Sequence, residues 1–463
     1  MNSRDNKTPT IILTTLAEYQ TVFWIDVCRS LKEKRYDAIV LSFDDRSCEL
    51  MDSVGIINFN IPQLARTILH KISEQEIADI FLQFNIDNIN YWESHERLVF
   101  KIYDRYKLDL KFSSYMLAID DVLSRVLINL DNVVLMQELG GFISVLASLF
   151  VARKRSIDNY FLEPAFFKGR LFAIKNTLYA PYIGPVLSVR VSQELRDYIR
   201  TAIAGRSIVV PDKDKHHYNR ALQKLANIDN AKRLIQKLLD KYIYKKHQEF
   251  GHNWIYVGLH VKMLVNEWCL RGKYLSLTDC EPFIYFPFHM PNDMAITLRS
   301  PEYLDQLALV DYMVRILPSG INLAVKEHPA MTGAIDSARL TAMLKKYDNL
   351  KVIDPSTNNY DVLHKANAVV SINSKSGAEA AMLGKTVFVL GNAFYENSPL
   401  VKQIESLKDL PEAIGSVKTR VEEDEIEAYF QTVWEQTSVG ELYVNDPVNI
   451  ENIACTLIHI AGR

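Results

Sequence analysis

Three short polar segments in the second half of the chain contain the residue types that bind phosphate. They cover residues 288–293 (FHMPND), 326–329 (KEHP) and 373–377 (NSKSG), and each directly follows an apolar segment. Lysine, imidazole and hydroxyl groups, together with the N–H groups at a helix N-terminus, can stabilise the charge of a departing phosphate. If the apolar segments are parallel strands of one sheet, the three polar segments meet at its carboxyl edge. The pattern predicts a nucleotide-binding crevice.

Individual roles follow from the chemistry of each side chain. Lys326 supplies a point charge and His328 a hydrogen-bond donor, while Ser374 and Ser376 supply hydroxyl and backbone donors. Glu379 lies one turn into the helix predicted after the third segment, where its carboxylate could accept from ribose hydroxyls. The residues predicted to bind the nucleotide or its phosphate are Lys326, His328, Pro329, Asn373, Ser374, Ser376, Gly377 and Glu379.

Three carboxylates are candidates for the reacting base or nucleophile. Glu163 ends the short apolar strand predicted at 160–164, Asp293 lies in the first polar segment, and Glu138 follows the strand predicted at 132–136. A carboxylate at the carboxyl end of a strand is well placed for general-base catalysis. The structural alternative for Glu163 is a helix cap or a surface ion pair. If the bound nucleotide carries a sugar, His289 and Lys375 are the residues predicted to contact it.

Composition limits the classes of protein to consider. A chain of 463 residues predicts two or three domains, and 48% hydrophobic with 24% charged residues is typical of a globular protein. The net charge of −3 gives no argument for a nucleic-acid partner. The five cysteines show no C-x-x-C spacing, so neither a metal site nor a disulfide framework is indicated. A polar N-terminus without a signal sequence predicts a cytoplasmic protein that meets the inner face of the membrane only through its surface.

The order of apolar segments predicts an α/β protein. Segments at 10–15 and 37–42 flank a helical pattern at 23–31, and strands alternate regularly with helices again from residue 283. We therefore predict an N-terminal α/β domain with a helical insertion, a nucleotide-binding domain and C-terminal helices that cross back to the first domain. The predicted ranges are 1–282, 283–420 and 421–463.

The helical insertion has a basic section and a strongly apolar segment. The basic section predicts either a solvated helical face or a docking surface for anionic lipid headgroups or an anionic glycan. The apolar segment 254–268 (WIYVGLHVKMLVNEW) predicts packing in the core or at a domain interface. The basic section contains Lys213, Lys215, His216, His217, Arg220, Lys224, Lys232, Arg233, Lys237, Lys241, Lys245 and Lys246.

The segments YFPFHMPNDMAIT (285–297), LAVKEHP (323–329) and VVSINSKSGAEAAMLGKTVFVLGNAFY (369–395) resemble the capsule polysaccharide synthesis family. That family includes bacterial Kdo transferases and related transferases of nonulosonic acids. The resemblance implies a GT-B architecture, in which two Rossmann-like, doubly wound α/β domains face each other across a cleft. It also implies a CMP-activated acidic sugar as co-substrate, no other cofactor and no metal. The family's phosphate-binding motifs correspond to His328-Pro329 and to Ser374 and Ser376.

Two positions depart from the family pattern. Members commonly have Gln or Glu, then Pro and Glu, where this chain has Pro291, Asn292 and Asp293. Lys375 stands where a small or β-branched residue is usual. Both differences predict a donor sugar other than that of the commonest members.

The function expected from the sequence is transfer of Kdo or a nonulosonic acid from a CMP donor to a bacterial surface polysaccharide or lipid-linked glycan. Two alternatives stay open. One is a teichoic-acid-type transferase or polymerase that uses CDP-glycerol and has a similar His-Pro loop and Ser turn. The other is a non-catalytic GT-B scaffold that binds the acceptor.

Overall fold

The apolar segments pair into two separate sheets with helices packed around them. The computed structural model describes residues 9–69, 72–128, 130, 132–184, 190–206, 228–416 and 422–462. Of the basic section predicted to dock anions, the residues from Lys213 to Lys224 lie outside these ranges, and those from Lys232 to Lys246 lie within them.

The first sheet has the strand order of a doubly wound fold. Its strands run β3-β2-β1-β4-β5-β6-β13 across the sheet, and β1 to β5 are parallel. Leu13 in β1 pairs with Val40 on one side and Met136 on the other, so the order reverses at β1. The strands are β1 Thr10–Thr15, β2 Ala38–Ser42, β3 Asn58–Asn60, β4 Val133–Glu138, β5 Asp158–Pro164, β6 Arg170–Lys175 and β13 Ser438–Val439.

The second sheet is parallel throughout, in the order β12-β11-β10-β7-β8-β9. Tyr285 at its centre pairs with Val369 on one side and Ala324 on the other. Helices cover both faces of such a sheet, which explains why its strands read as nearly continuous apolar runs. The strands are β7 Phe283–Pro287, β8 Asn322–Lys326, β9 Leu350–Val352, β10 Ala368–Ser371, β11 Thr386–Val389 and β12 Lys402–Gln403.

Helices surround each sheet. The helices up to residue 204 are Glu18–Glu33, Asp45–Ser53, Ile61–Leu69, Glu74–Gln83, Ile89–Trp92, Ser94–Phe100, Arg105–Val126, Ile143–Lys154 and Gln193–Ala204. Those from residue 228 onwards are Ile228–Tyr242, Asn253–Leu270, Leu277–Cys280, Met294–Thr297, Gln306–Ile316, Ser337–Lys346, Asn359–Lys365, Lys375–Met382, Leu410–Gly415, Glu423–Glu435 and Pro447–Ala461. The predicted fold of two Rossmann-like domains, the GT-B arrangement, is confirmed.

Two helices show how the predicted domain ranges meet. Helix Pro447–Ala461 packs against helix Glu18–Glu33 beside the first sheet. Helix Asn253–Leu270 packs against helix Ser337–Lys346 beside the second sheet. Tyr256 of that helix also packs on Phe100 of the first domain, with ring centroids 6.2 Å apart. The helix thus contacts both domains, and the boundary after residue 282 stays a prediction.

The prediction that segment 254–268 is core or interface holds for only one face of helix Asn253–Leu270. Met263 and Leu270 are buried against the second domain. On the other face, 62% of Trp254 and 77% of Trp268 are exposed. A segment apolar on all sides predicts full burial, but the second domain contacts only half of this helix.

Gly333 provides the close contact between this helix and the second domain. Its φ is +82°, a left-handed conformation that favours glycine, and a Cβ there would overlap the carbonyl oxygen of Met263. Its carbonyl accepts a hydrogen bond from Asn266 Nδ2 at 2.9 Å. Its N–H donates to the buried Glu327 carboxylate at 3.1 Å. Glu327 therefore holds the loop, and it also accepts from the Ile335 N–H at 3.0 Å.

We expect Gly333→Ala to destabilise the protein more than Gly320→Ala does. Gly320 has almost the same φ, +80°, but no atom lies within 4 Å of a Cβ built there. The backbone strain of about 1–3 kcal/mol is then common to both variants, and only Gly333→Ala adds the overlap with helix Asn253–Leu270. Urea unfolding measures the two free energies of unfolding. Equal losses would show that the helix does not press on this loop.

Candidate functional site

A cleft of about 580 Å³ lies between the two domains at the carboxyl edges of their sheets. Its volume is within the range of small-molecule sites. The structure brings nearly all of the predicted site residues together around it. Those that line the cleft are Glu138, Glu163, His289, Asp293, Lys326, His328, Pro329, Asn373, Ser374, Lys375, Ser376 and Glu379. Gly377, the remaining one, is buried directly behind the wall.

The N-terminus of helix Lys375–Met382 forms one wall of the cleft. Ser374 caps the helix, and its hydroxyl accepts from the Ser376 N–H at 3.2 Å. The helix begins at Lys375, so the last three residues of the polar segment 373–377 lie in its first turn. A Cβ on Gly377 would overlap Tyr395, whose hydroxyl donates to the Ser374 carbonyl at 2.6 Å. Glycine at this position therefore leaves room for Tyr395, which holds the N-cap residue. The N–H groups of the first turn lie at the end of the helix that lines the cleft.

Two histidines line the cleft as neutral imidazoles. His328 Nδ1 accepts from the Ala330 N–H at 3.3 Å, which places its proton on Nε2. Burial, with the Lys326 charge adding to it, lowers the pKa of His328 to about 4. The N–H of Asn373 donates to His289 Nε2 at 3.4 Å, and burial lowers the pKa of His289 to about 3. At neutral pH both residues act as hydrogen-bonding groups and not as cations.

A buried polar network lies behind the cleft wall that the second domain forms. Lys326 is 3% exposed, and burial lowers its pKa to about 8 although the Glu379 carboxylate opposes that shift. Asn359 Nδ2 donates to Glu379 Oε2 at 2.6 Å and to Ser376 Oγ at 3.1 Å. Tyr285 Oη donates to Asn359 Oδ1 at 3.1 Å. The sequence did not single out Asn359, because it starts a helix outside the three polar segments and no spacing marks it.

The predicted catalytic Glu163 is held by an arginine from the second domain. Arg299 Nη1 and Nη2 donate to Glu163 Oε1 and Oε2, both at 2.9 Å, and Arg299 Nε donates to the Leu178 carbonyl at 2.6 Å. The arginine side chain is only 7% exposed. A bidentate pair of this kind is strong and geometrically specific. The structure thus favours the ion-pair alternative for Glu163, although the pair is largely buried and not on the surface.

The other two candidate carboxylates also accept hydrogen bonds. Asp293 Oδ1 accepts from the Ala295 N–H at 2.9 Å and so caps a short helix. Glu138 Oε2 accepts from Gln20 Nε2 at 2.9 Å and from Tyr443 Oη at 2.7 Å. Burial and the neighbouring Glu138 raise the pKa of Tyr443 well above its ordinary value, so the phenol stays protonated and donates. Glu138 is thus held by neutral donors.

Lys375 reaches across the cleft. Its Nζ donates to the Pro164 carbonyl at 3.1 Å and to the Ala165 carbonyl at 2.9 Å, both in the first domain. Lys375 also lines the cleft, and the donor-sugar contact predicted for it stays a prediction. Its bridging position gives a structural reason for a long cation at a position where the resembling family has a small residue.

Within the described ranges, no group of three or more His, Cys, Asp or Glu side chains is arranged to hold a metal ion. The same part of the chain contains no helix that combines the length and apolarity needed to cross a bilayer.

We expect Arg299→Met and Glu163→Gln each to lower the free energy of unfolding by about 3 kcal/mol, because each leaves a buried partner without its counter-charge. The double variant should lose less than the sum of the two, with a coupling of about 1–3 kcal/mol in urea unfolding.

Arg339→Met is the control, because Arg339 Nη2 donates to both oxygens of Asp305 at similar distances but the arginine is 53% exposed. It should cost no more than about 1 kcal/mol. Additive losses for Arg299→Met and Glu163→Gln would show that their ion pair does not join the domains.

Comparisons with known proteins agree with the resemblance seen in the sequence. The model of the family described as capsule polysaccharide biosynthesis protein matches residues 195–440. Protein FixF of Sinorhizobium fredii (strain NBRC 101917 / NGR234) is 29% identical over 133 residues, which cover 28% of this chain and 32% of FixF. The chain therefore matches only about a third of that relative's length.

Two solved structures are similar at low identity. A Thermosulfurimonas dismutans KpsC, titled beta Kdo 2,7 transferase, is 17% identical with a TM-score of 0.36, covering 73% of this chain and 88% of that one. A glycosyltransferase from Rickettsia africae ESF-5 is 12% identical with a TM-score of 0.32, covering 98% of each chain.

The family match extends over 246 of the 463 residues and includes all three polar loops of the cleft. The resemblance is thereby confirmed, and the chain belongs to the capsule polysaccharide biosynthesis protein family.

Proposed function

We propose that the protein is a cytoplasmic glycosyltransferase that moves Kdo or a nonulosonic acid from a CMP donor to a bacterial surface polysaccharide or lipid-linked glycan. The observation that carries this proposal is the composition of the cleft. A helix N-terminus, a neutral imidazole and a buried lysine on one wall face a carboxylate, Glu138, on the other. Family membership supports a role in capsule assembly.

The proposed reaction needs a stabilised leaving group and a proton acceptor. The bond between the anomeric carbon and the phosphate oxygen breaks, and its electron pair leaves with CMP. The acceptor hydroxyl oxygen bonds to that carbon and gives its proton to a base. We propose that the Ser376 hydroxyl, which accepts from Asn359 and can donate its own hydrogen, the Nε2–H of His328 and the Lys326 ammonium stabilise the charge that develops on the phosphate. Burial strengthens these interactions because little water competes with them.

We assign the base to Glu138 among the three candidate carboxylates. The guanidinium of Arg299 occupies both oxygens of Glu163, and Asp293 caps a helix. Glu138 accepts from a neutral amide and a neutral phenol, which orient its carboxylate without adding a positive charge. A base for a sugar hydroxyl must be positioned in this way.

The remaining predicted contacts are part of the same proposal. Glu379, whose carboxylate also accepts from Asn359, would accept from the ribose hydroxyls, and His289 would contact the donor sugar through Nδ1. Asn373 and Pro329 shape the wall between these two positions. The donor is a co-substrate, and the proposal includes neither a cofactor nor a metal.

Incubation with CMP-Kdo, a CMP-nonulosonic acid and CDP-glycerol, each with a glycan acceptor, tests the proposal through the rate of CMP release. We expect release from a CMP-ulosonic donor, unchanged by EDTA. Glu138→Gln should lower turnover by about 100-fold or more while calorimetry shows unchanged affinity for CMP.

Release from CDP-glycerol alone would support the teichoic-acid alternative. Absence of CMP binding, together with no effect of His328→Ala, would support the scaffold. If Glu163→Gln at unchanged stability abolishes turnover and Glu138→Gln does not, the base is Glu163.

The lowered pKa of Lys326 predicts that CMP binding weakens at alkaline pH. Below pH 8 the ammonium is charged in the free protein, and above it the phosphate must bind together with a proton. The CMP phosphate is a dianion throughout this range because its second pKa is about 6. The dissociation constant should therefore rise by up to about tenfold per pH unit above pH 8. Calorimetry between pH 7 and 9.5 measures the dissociation constant. Lys326→Met should bind CMP weakly, with a dissociation constant that does not change with pH in this range. A slope retained in Lys326→Met would assign it to another group.

A further inference from the structure

Helix Asn253–Leu270 exposes a narrow apolar stripe. Trp254 is 62% exposed, Val261 49%, Val265 55% and Trp268 77%. Their spacing of seven, four and three residues places all four on one face of the helix. The opposite face packs on the second domain at Met263 and Leu270 and on Phe100 of the first domain at Tyr256. The stripe is therefore a separate apolar face and not part of the core that the described residues form.

The preceding helix, Ile228–Tyr242, exposes a similar stripe. Ile235 is 57% exposed, Leu239 41% and Tyr242 56%, again at helical spacing. The two helices contact each other. An amphipathic helix of a globular protein normally buries its apolar face. Here the exposed faces of both helices and of the link 243–246 form what we call the aromatic–basic surface.

The link and the first helix add hydrophobic and basic groups to this surface. Ile243 is 65% exposed and Tyr244 63%. Residues 232–246 contain six Lys or Arg and one acidic residue, Asp240, which is buried, so their net charge is 6 − 1 = +5. The whole chain, by contrast, has a net charge of −3. The exposed cations of these residues are Lys232, Arg233, Lys237 and Lys245.

We infer that the aromatic–basic surface docks on the anionic surface of a lipid bilayer. Trp and Tyr prefer the headgroup level of membranes, and lysines near the surface are attracted to acidic lipids. Helices with Trp on an apolar face and Lys on a polar one lie in the plane of the interface.

Two other occupants fit the composition less well. Lysine is depleted at protein–protein interfaces, whereas it is the commonest cation here. An anionic glycan would meet Val261, Val265 and Ile243, which offer it no hydrogen bond. The exposed aliphatic groups therefore favour a bilayer over the glycan.

The proposed contact would hold the cleft near the membrane. Asn266, on the buried face of helix Asn253–Leu270, accepts from the Ser337 hydroxyl at 2.8 Å and donates to the Gly333 carbonyl. The loop of Gly333 continues from His328 in the cleft wall. A helix docked on lipid would thus orient the site relative to a membrane-bound acceptor, whichever donor the protein uses.

Flotation of the full chain with vesicles tests this inference without relying on catalysis. We expect binding to vesicles that contain phosphatidylglycerol and little binding to pure phosphatidylcholine. The double variant Trp254→Ser/Trp268→Ser should bind at least tenfold more weakly. Lys232→Gln and Lys237→Gln should each weaken binding about fivefold and reduce its salt dependence.

The matched control is Leu82→Ser/Tyr103→Ser, which removes two side chains that are 68% and 82% exposed elsewhere. It should bind vesicles like the wild type. Unchanged melting temperature and CMP affinity in the tryptophan variant would separate this result from misfolding and from failure of the proposed function. The inference is overturned if acidic vesicles do not bind, if the control loses binding equally, or if sedimentation shows a dimer that only the tryptophan variant abolishes.

Discussion

One guanidinium of the second domain is hydrogen-bonded entirely to the first domain. Arg299 donates to both oxygens of Glu163 and to the Leu178 carbonyl, so all three of its nitrogens bind the first domain. A second contact from the same loop, between Thr297 Oγ1 and His95 Nδ1 at 2.8 Å, is buried nearby. Because a bidentate fork tolerates little rotation, this loop sets the distance between the two walls of the cleft.

The loop that contains Thr297 and Arg299 also supports the cleft wall formed by residues 373–377. Asn373 Nδ2 donates to the Ala295 carbonyl at 2.7 Å and to the Ser300 hydroxyl at 3.1 Å. Lys375, two residues further on, donates to the first domain. The helix N-terminus that is proposed to hold phosphate is therefore built onto the domain contact itself. Any movement of one domain against the other would change the position of these donors.

The cleft carries less positive charge than the number of basic residues around it would indicate. His289 and His328 are neutral. The ammonium and guanidinium groups near them differ in which domain they contact. Arg299 and Lys375 donate to the first domain, whereas the buried Lys326 makes no hydrogen bond or ion pair across the cleft among the described residues. A site of this kind relies on oriented neutral donors more than on net charge, and such donors retain their orientation when a charged group arrives.

The sequence by itself determined the strands, the helices between them and the three polar loops of the second domain. Parallel strands end at one edge, so local periodicity was enough to predict that these loops meet. Only the tertiary structure decided that Glu163 pairs with Arg299, 136 residues away, and that Asn359 joins the site. It also decided that Trp254 and Trp268 are exposed. Pairing and exposure depend on which faces of distant elements meet, and a local pattern contains no information about that.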